Sequence, residues 1–371
     1  MIKLLNRLKI LNTGNLSNMS LLFNLEAVLE DFSDGMKQTI RYIYALALLP
    51  KPKVAFHASD ADGIVSAVIL KNITPFRKMV FIPLGYQELR HPEFGSFLAS
   101  VDWRAIADLA PFHAKRASLF CDHHQSSLKM PKKADLVIFK PGAPSASILL
   151  GEFFKSKIEP EIFHLAELTV ITDTAGYSTP PPTKSPEDPL NASKEEQAWL
   201  LDDLCKTVET IEEILTLVQD LSDQQLSIIA QPIYQDRLQA LYNLRVKSFE
   251  LAKEITPADV VIVIQGKKKV LTSSLVYGLF QRQVKITCIL YPGKRFTGLS
   301  FRINSIISDD ILDEYRVDHL ANQFSGGGHP RAAGGRANSL QEALKGLEEW
   351  INKKNLTLNI HDLREEHNRN G

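Results

Sequence analysis

Between residues 53 and 139 the chain repeats one pattern: a short apolar run, then a polar or helix-prone stretch. The runs are 53–56, 80–84, 97–101, 117–121 and 135–139. Strands that are apolar on successive residues are buried on both faces, and helical connections between them enforce parallel crossovers. The pattern predicts an α/β fold whose N-terminal part is a doubly wound, mainly parallel sheet. Three runs are followed at once by acids or imidazoles: His57-Ala-Ser-Asp60-Ala-Asp62-Gly63, then Asp102, then Asp122-His123-His124. In an open parallel sheet ligands sit beyond the carboxyl ends of the strands. Residues tens of positions apart can therefore converge there.

The rest of the chain reads as follows. Leu22, Leu25, Val28, Leu29 and Phe32 have helical spacing, so 20–48 is an amphipathic helix after an N-terminal extension of 18 residues. A loop with Pro180, Pro181, Pro182, Pro186 and Pro189 follows Asp173. Ser193 with Glu196, and Ser222 with Gln225, read as capping boxes that open helices, the second continuing past Pro232 to about 255. β character returns at 260–264, 284–290 and 297–302, and a helix covers 339–353. With 371 residues the chain exceeds one ordinary core. Its expected divisions are an extension and helix at 1–49, a catalytic domain at 50–190, a helical connector at 191–256, a smaller α/β domain at 257–353 and a frayed polar tail at 354–371, with the active site in the cleft between the two domains.

Charge narrows the function. Lys plus Arg and Asp plus Glu are 43 each, so the chain is neutral. A protein that tracks long nucleic acid needs an excess of phosphate-neutralising cations. A short anionic substrate needs only a local pocket. Cys121, Cys205 and Cys288 are too dispersed for a disulfide framework, and no apolar stretch reaches membrane-spanning length. No signal peptide is readable, and the expected compartment is the cytoplasm.

So many carboxylates at one place repel each other, and burial raises the cost. Divalent cations remove the problem. Asp oxygen with His nitrogen suits Mn²⁺, Co²⁺, Fe²⁺ or Zn²⁺ better than Ca²⁺. Asp173, after an apolar and potentially helical segment, is a further candidate. An isolated Asp-x-Asp-Gly is usually a turn or cap; the joint occurrence is what points to metal. Asp108 is the nearest alternative to Asp102, but its Ala-Ile-Ala-Asp-Leu context reads as helical. In the C-terminal part, Ser325-Gly326-Gly327-Gly328-His329-Pro330-Arg331 combines a glycine run with His and Arg. Glycines let backbone amides approach an anion; a flexible turn is the bland alternative.

Taken in order, Asp60-Ala-Asp62-Gly63, Asp102, Asp122-His123-His124 and Asp173 resemble the four motifs of the DHH phosphoesterase superfamily. The segment 326–334 resembles the signature of the family's C-terminal substrate-binding domain. The resemblance spans roughly 53–340. It implies two divalent cations, Mn²⁺ first with Co²⁺ or Mg²⁺ as alternatives, held by His57, Asp60, Asp62, Asp102, His123 and Asp173, with Asp102 as the bridge. His57 precedes Asp60 by three positions, where members show two or four. His124 would face the scissile phosphate, and Asp122 would orient the histidines. Arg302, Gly326, Gly327, Gly328 and His329 would hold a substrate phosphate or terminal nucleotide. The implied reaction is attack on phosphorus by a water that two cations activate. Short oligonucleotides or small nucleotides come first as substrates, a RecJ-like single-strand exonuclease second, and polyphosphate or pyrophosphate hydrolysis third. A non-catalytic nucleotide sensor is the reading from another class. Oligomeric state, a dimer included, is left open.

Overall fold

The computed structural model describes residues 25–364 apart from 59, 111–116, 129–132, 175, 267–269, 294, 295 and 309; side chains at 34, 126, 328 and 329 are also outside it. The extension and residues 20–24 lie outside the described residues. The chain divides into two compact units, residues 1–179 with 184–238, and 180–183 with 239–371.

The first unit begins with α1 (Leu25–Glu30) and α2 (Asp34–Ala47), two helices where one was expected, separated by Asp31-Phe32-Ser33. Then come β1 (Lys53–His57), α3 (Ala61–Asn72), β2 (Val80–Leu84), α4 (Tyr86–Arg90), α5 (Pro92–Ser100), β3 (Trp103–Ala107), β4 (Ala117–Asp122) and β5 (Ala134–Phe139). The helices α6 (Ala146–Phe153), α7 (Pro160–Asp173), α8 (Lys194–Lys206) and α9 (Ile211–Gln224) follow. The five strands form one all-parallel sheet in the order β2-β1-β3-β4-β5. The chain leaves β1 towards β2 on one side and returns to β3 on the other, so β1 and β3 flank the switch point.

On one face Ala55, Ile82, Ile106 and Phe120 pack with Val28 and Leu29 of α1, Ile40 and Ile43 of α2, and Phe94 and Leu98 of α5. α3 is buried from Ala61 through Leu70, with no polar stripe. A helix apolar on all sides must be enclosed, and α3 is, by β1, α6, α7, α8 and α9.

The third strand is displaced from its expected place. Residues 97–100 are helix, with Val101 as its C-cap: His91 caps α5 by accepting from the Phe94 amide, Pro92 occupies the first turn, and Phe94, Phe97 and Leu98 are buried at helical spacing. The Trp103 indole N–H donates to the Leu98 carbonyl (2.8 Å), closing the helix against the start of β3. The strand then runs Trp103-Arg-Ala-Ile-Ala107, with only Arg104 exposed. Further on, Ser193 and Glu196 make the expected capping box. The next box is Thr210 with Glu213; Ser222 lies inside α9, and Pro232 opens α10 (Pro232–Glu254).

The second unit contains β6 (Val260–Ile264), α11 (Thr272–Phe280), β7 (Ile286–Pro292), β8 (Thr297–Ile303), α12 (Leu312–Tyr315), α13 (Val317–Asn322), β9 (Gly327–His329), β10 (Ala332–Ala337), α14 (Leu340–Lys353) and β11 (Leu358–Asp362). Its six-stranded mixed sheet has the order β11-β6-β7-β8-β10-β9. The stretch after 353 is not frayed as far as Asp362, because β11 pairs in parallel with β6. A clasp holds it there: Asp259 accepts from the Thr357 amide (2.9 Å) and hydroxyl (2.7 Å), and pairs with Lys285 (2.8 Å). The glycine segment is a hairpin rather than a flexible turn, with β9 antiparallel to β10 and β10 to β8. Among the described residues no helix is long and apolar enough to cross a membrane.

Candidate metal centre and phosphate-binding face

Four chain segments deliver acids and imidazoles to the carboxyl end of the first sheet. His57 is the last residue of β1, Asp60 caps α3, and Asp62 sits in the first turn of that helix. Asp60 accepts from the Gly63 amide at 3.0 Å. Gly63 has a steric reason: a Cβ there would lie 2.1 Å from the His57 carbonyl oxygen, so only glycine lets the helix start against the strand end. Asp108 directly follows β3, in left-handed backbone (φ 53°), with 1% of its surface exposed. Asp122 ends β4, and His123 and His124 follow. Asp173 is the last residue of α7.

Their geometry is specific. His57 Nδ1 lies 2.9 Å from Asp60 Oδ2 and 3.5 Å from Asp108 Oδ2. His123 Nδ1 lies 2.8 Å from the Ala143 carbonyl. A carbonyl can only accept, so Nδ1 carries a hydrogen and Nε2 is left to face the site. Nε2 faces carboxylate oxygens of Asp62, Asp108 and Asp173, each at 3.6 Å. Among the described residues neither His123 Nε2 nor Asp108 Oδ1 has a hydrogen-bond partner, although both are buried. Electron-rich atoms converging in this way repel unless protons or a cation lie among them. Three sets of ligand atoms are compact enough for an ion: His57/Asp60/Asp108, Asp62/His123/Asp173 and Asp108/His123/His124. The residues fit divalent metal.

Asp122 serves the histidines instead. Its Oδ1 accepts from the amides of His123 (2.8 Å) and His124 (3.2 Å) and from His124 Nδ1 (2.7 Å). His124 is thereby locked with its ring about one-third exposed.

The electrostatics bear the same mark. Burial, with repulsion from Asp62, pushes the Asp108 carboxyl well above its usual range. Burial and Asp62 also push Asp173 up to about 6, and a helix C-terminus is itself unfavourable for an anion. Burial opposes charge on His57, but hydrogen bonds to Asp108 and Asp60 outweigh it and push the imidazole up to about 10. Protons take up the strain that a cation would otherwise relieve.

Of the residues expected from sequence, His57, Asp60, Asp62, His123 and Asp173 converge here. Asp102 does not. It is exposed and precedes β3, so it lies at the amino end of the strand, about 20 Å from the cluster at roughly 3.3 Å per residue. The helix over 92–100 shifts the strand, and Asp108 stands where Asp102 was expected. Period-two exposure at Arg104 and Pro92 behind a capping histidine were the available signals. Tyr86, whose ring lies 5.2 Å from that of His57, and the hydroxyls of Ser145, Ser147 and Thr169 near Asp62 carried no sequence signal.

In the second unit Leu299, Phe301 and Ile303 of β8 face a core with Ala333 and Ala337. The alternate residues Gly298, Ser300 and Arg302, paired with Arg336, Gly334 and Ala332, form a face of small and cationic residues. The Arg302 guanidinium donates to the Phe301 carbonyl (2.7 Å) and lies 3.3 Å from Ser300 Oγ. A Cβ on Gly326 would sit 2.0 Å from the Gly334 carbonyl oxygen, so that glycine is required by the hairpin. Gly327 and Gly328 belong to the edge strand β9, and the side chain of His329 lies outside the described residues. Arg331 is turned to structure: it donates to the Ile307 carbonyl at 2.6 Å.

No family model and no curated protein matches the chain. Solved structures do. The pGpG-specific phosphodiesterase PggH of Vibrio cholerae superposes with a TM-score of 0.57 at 17% identity, covering 82% of this chain and 99% of that one. An exopolyphosphatase-related protein of Bacteroides fragilis gives 0.47 at 16%, covering 85% and 96%. RecJ of Thermus thermophilus in complex with Mn²⁺ gives 0.45 at 13%, covering 89% and 56%. The likeness to the first of these establishes a shared fold.

Proposed function

We propose that this chain is a DHH phosphoesterase, with Asp122-His123-His124 in its active site, and that it hydrolyses phosphate esters of short oligonucleotides or small nucleotides with two divalent cations. One observation carries the metal reading: His123 Nε2 faces three carboxylates at 3.6 Å. His57, Asp60 and Asp108 would hold one cation, and Asp62, His123 and Asp173 the other. Asp108 would serve both, because its Oδ2 faces His57 and its Oδ1 faces His123. Two such cations, when bound, make water acidic enough to attack at neutral pH and offset charge on phosphoryl oxygens. Mn²⁺ is the expected metal, with Co²⁺ or Mg²⁺ as substitutes.

The protein's own groups do the rest. Asp122 is a positioning residue that acts through both histidines. Held at Nδ1, His124 turns its other nitrogen to the exposed side, where it donates a proton to the leaving oxygen or a hydrogen bond to the phosphoryl group. In the second unit Arg302 and the backbone of Gly326, Gly327, Gly328 and His329 bind a further phosphate or terminal nucleotide. The substrate-binding domain of this reading runs past residue 353 to include β11, and the three buried free thiols favour a cytoplasmic setting.

The Vibrio protein is pGpG-specific, and a linear dinucleotide belongs to the substrate class favoured by zero net charge. The test is a Mn²⁺-dependent hydrolysis panel of two- to five-nucleotide RNA, linear and cyclic dinucleotides, nucleotide bisphosphate, long single-stranded DNA and polyphosphate. Preference for the small substrates supports the reading. Dominant activity on the long strand or on polyphosphate replaces it with those alternatives, and metal-free binding without turnover replaces it with a sensor.

A further inference from the structure

We propose that Ser147 and Thr169 are positioning residues that bind Asp62 and Asp173 into one rigid ligand pair for a single cation. The inference rests on the two-cation reading above. Asp62 is 1% exposed, yet both oxygens are occupied by the N-terminus of α6: the Ala146 amide donates to Oδ2 and the Ser147 amide to Oδ1, each at 2.7 Å. The Ser147 hydroxyl lies 2.6 Å from Thr169 Oγ1, which lies 2.9 Å from Ser145 Oγ. All three hydroxyl residues are fully buried.

Each hydroxyl has one hydrogen. Thr169 donates its own to the Ala166 carbonyl at 2.8 Å, so Ser147 donates to Thr169 Oγ1. Thr169 therefore fastens to α7 the residue whose amide grips Asp62. It also sits four residues before Asp173 on α7, on the same helix face. Asp62 Oδ2 and Asp173 Oδ2 are equidistant from His123 Nε2, at 3.6 Å. A chain of short contacts thus runs from one ligand through Ser147 and Thr169, and along one helical turn to the other. It bypasses His57, Asp60 and Asp108. Losing it weakens one cation and spares its neighbour. Partners that orient metal ligands typically account for 10–100-fold in metal affinity.

The experiment is a Mn²⁺ titration of the full chain followed by electron paramagnetic resonance, for wild type, Ser147→Ala, Thr169→Val and Thr169→Ser, with melting curves in chelator as a control for folding. The expected result is two bound ions in wild type. In Ser147→Ala and Thr169→Val one ion is weakened about 10–100-fold and the other unchanged, while Thr169→Ser keeps wild-type affinity because it keeps the hydroxyl. Unchanged binding in both deletion variants overturns the inference and leaves the metal reading standing. So does a Thr169→Ser variant that falls as far as Thr169→Val, or equal weakening of both ions together with a lower melting point in chelator. A wild type that binds no Mn²⁺ overturns the metal reading and this inference with it.

Discussion

Asp108 and Asp102 lie six positions apart at opposite ends of one strand, and that separation makes a clean control. Asp108→Asn keeps a residue that tolerates the left-handed backbone (φ 53°) while removing the charge that faces both histidines. Mn²⁺-dependent hydrolysis is expected to fall at least about a hundredfold. Asp102→Asn is expected to stay within about twofold of wild type, as for exposed substitutions generally. Steady-state rates on the panel's best substrate check both; a large loss at Asp102 would contradict the placement. Most of the acidic and imidazole cluster was legible in the sequence because polar residues directly after apolar runs are rare and chemically loud. Asp108 was not, since Ala-Ile-Ala-Asp-Leu fits a helix as well as a strand, and only the cap at His91 decides which segment is which. The supporting hydroxyls were silent for another reason: Ser and Thr are common, and nothing local distinguishes a serine whose hydroxyl meets a threonine 22 residues away.

At the level of elements, the readable parts were those with strong local signals: the Ser193–Glu196 box, the strand at 260–264, the terminal amphipathic helix and the helix ending at Asp173. β9, β10 and β11 escaped because glycine-rich and polar segments have low strand propensity, and long-range pairing overrides it. The clasp on β11 carries a pH dependence. Hydrogen bonds from Lys285 and Thr357 hold the Asp259 carboxyl down at about 2, against an unfolded value of about 3.9. A carboxylate depressed in the folded state contributes stability above its unfolded pKa and loses it as pH falls through the folded one. Protection of the 358–362 amides against hydrogen exchange should therefore decline between about pH 4 and pH 2. In Asp259→Asn it should be weaker at neutral pH and change less across that window. The group is partly exposed, so the effect is modest.

At the scale of the whole molecule, the balance of 43 basic and 43 acidic residues predicts a shallow response to salt. Two neutralised phosphates on a short strand give a slope near −1.4, so affinity should fall less than about tenfold from 50 to 200 mM salt. A protein holding six or more phosphates would lose about a thousandfold or more; the KM for a dinucleotide across that range separates the two. The order in which the ligands enter the fold has a kinetic consequence. The cluster draws on residues from His57 to Asp173, through three parallel strands and the far end of a helix. Before those crossovers close, an emerging or refolding chain offers a cation only local groups, such as Asp60 with Asp62 or Asp122 with His123 and His124, and no complete ligand set. Divalent metal would then bind firmly only after the slow closure of the parallel crossovers. It should leave the refolding rate of the first unit unchanged and slow its unfolding, acting as a latch on a structure already made.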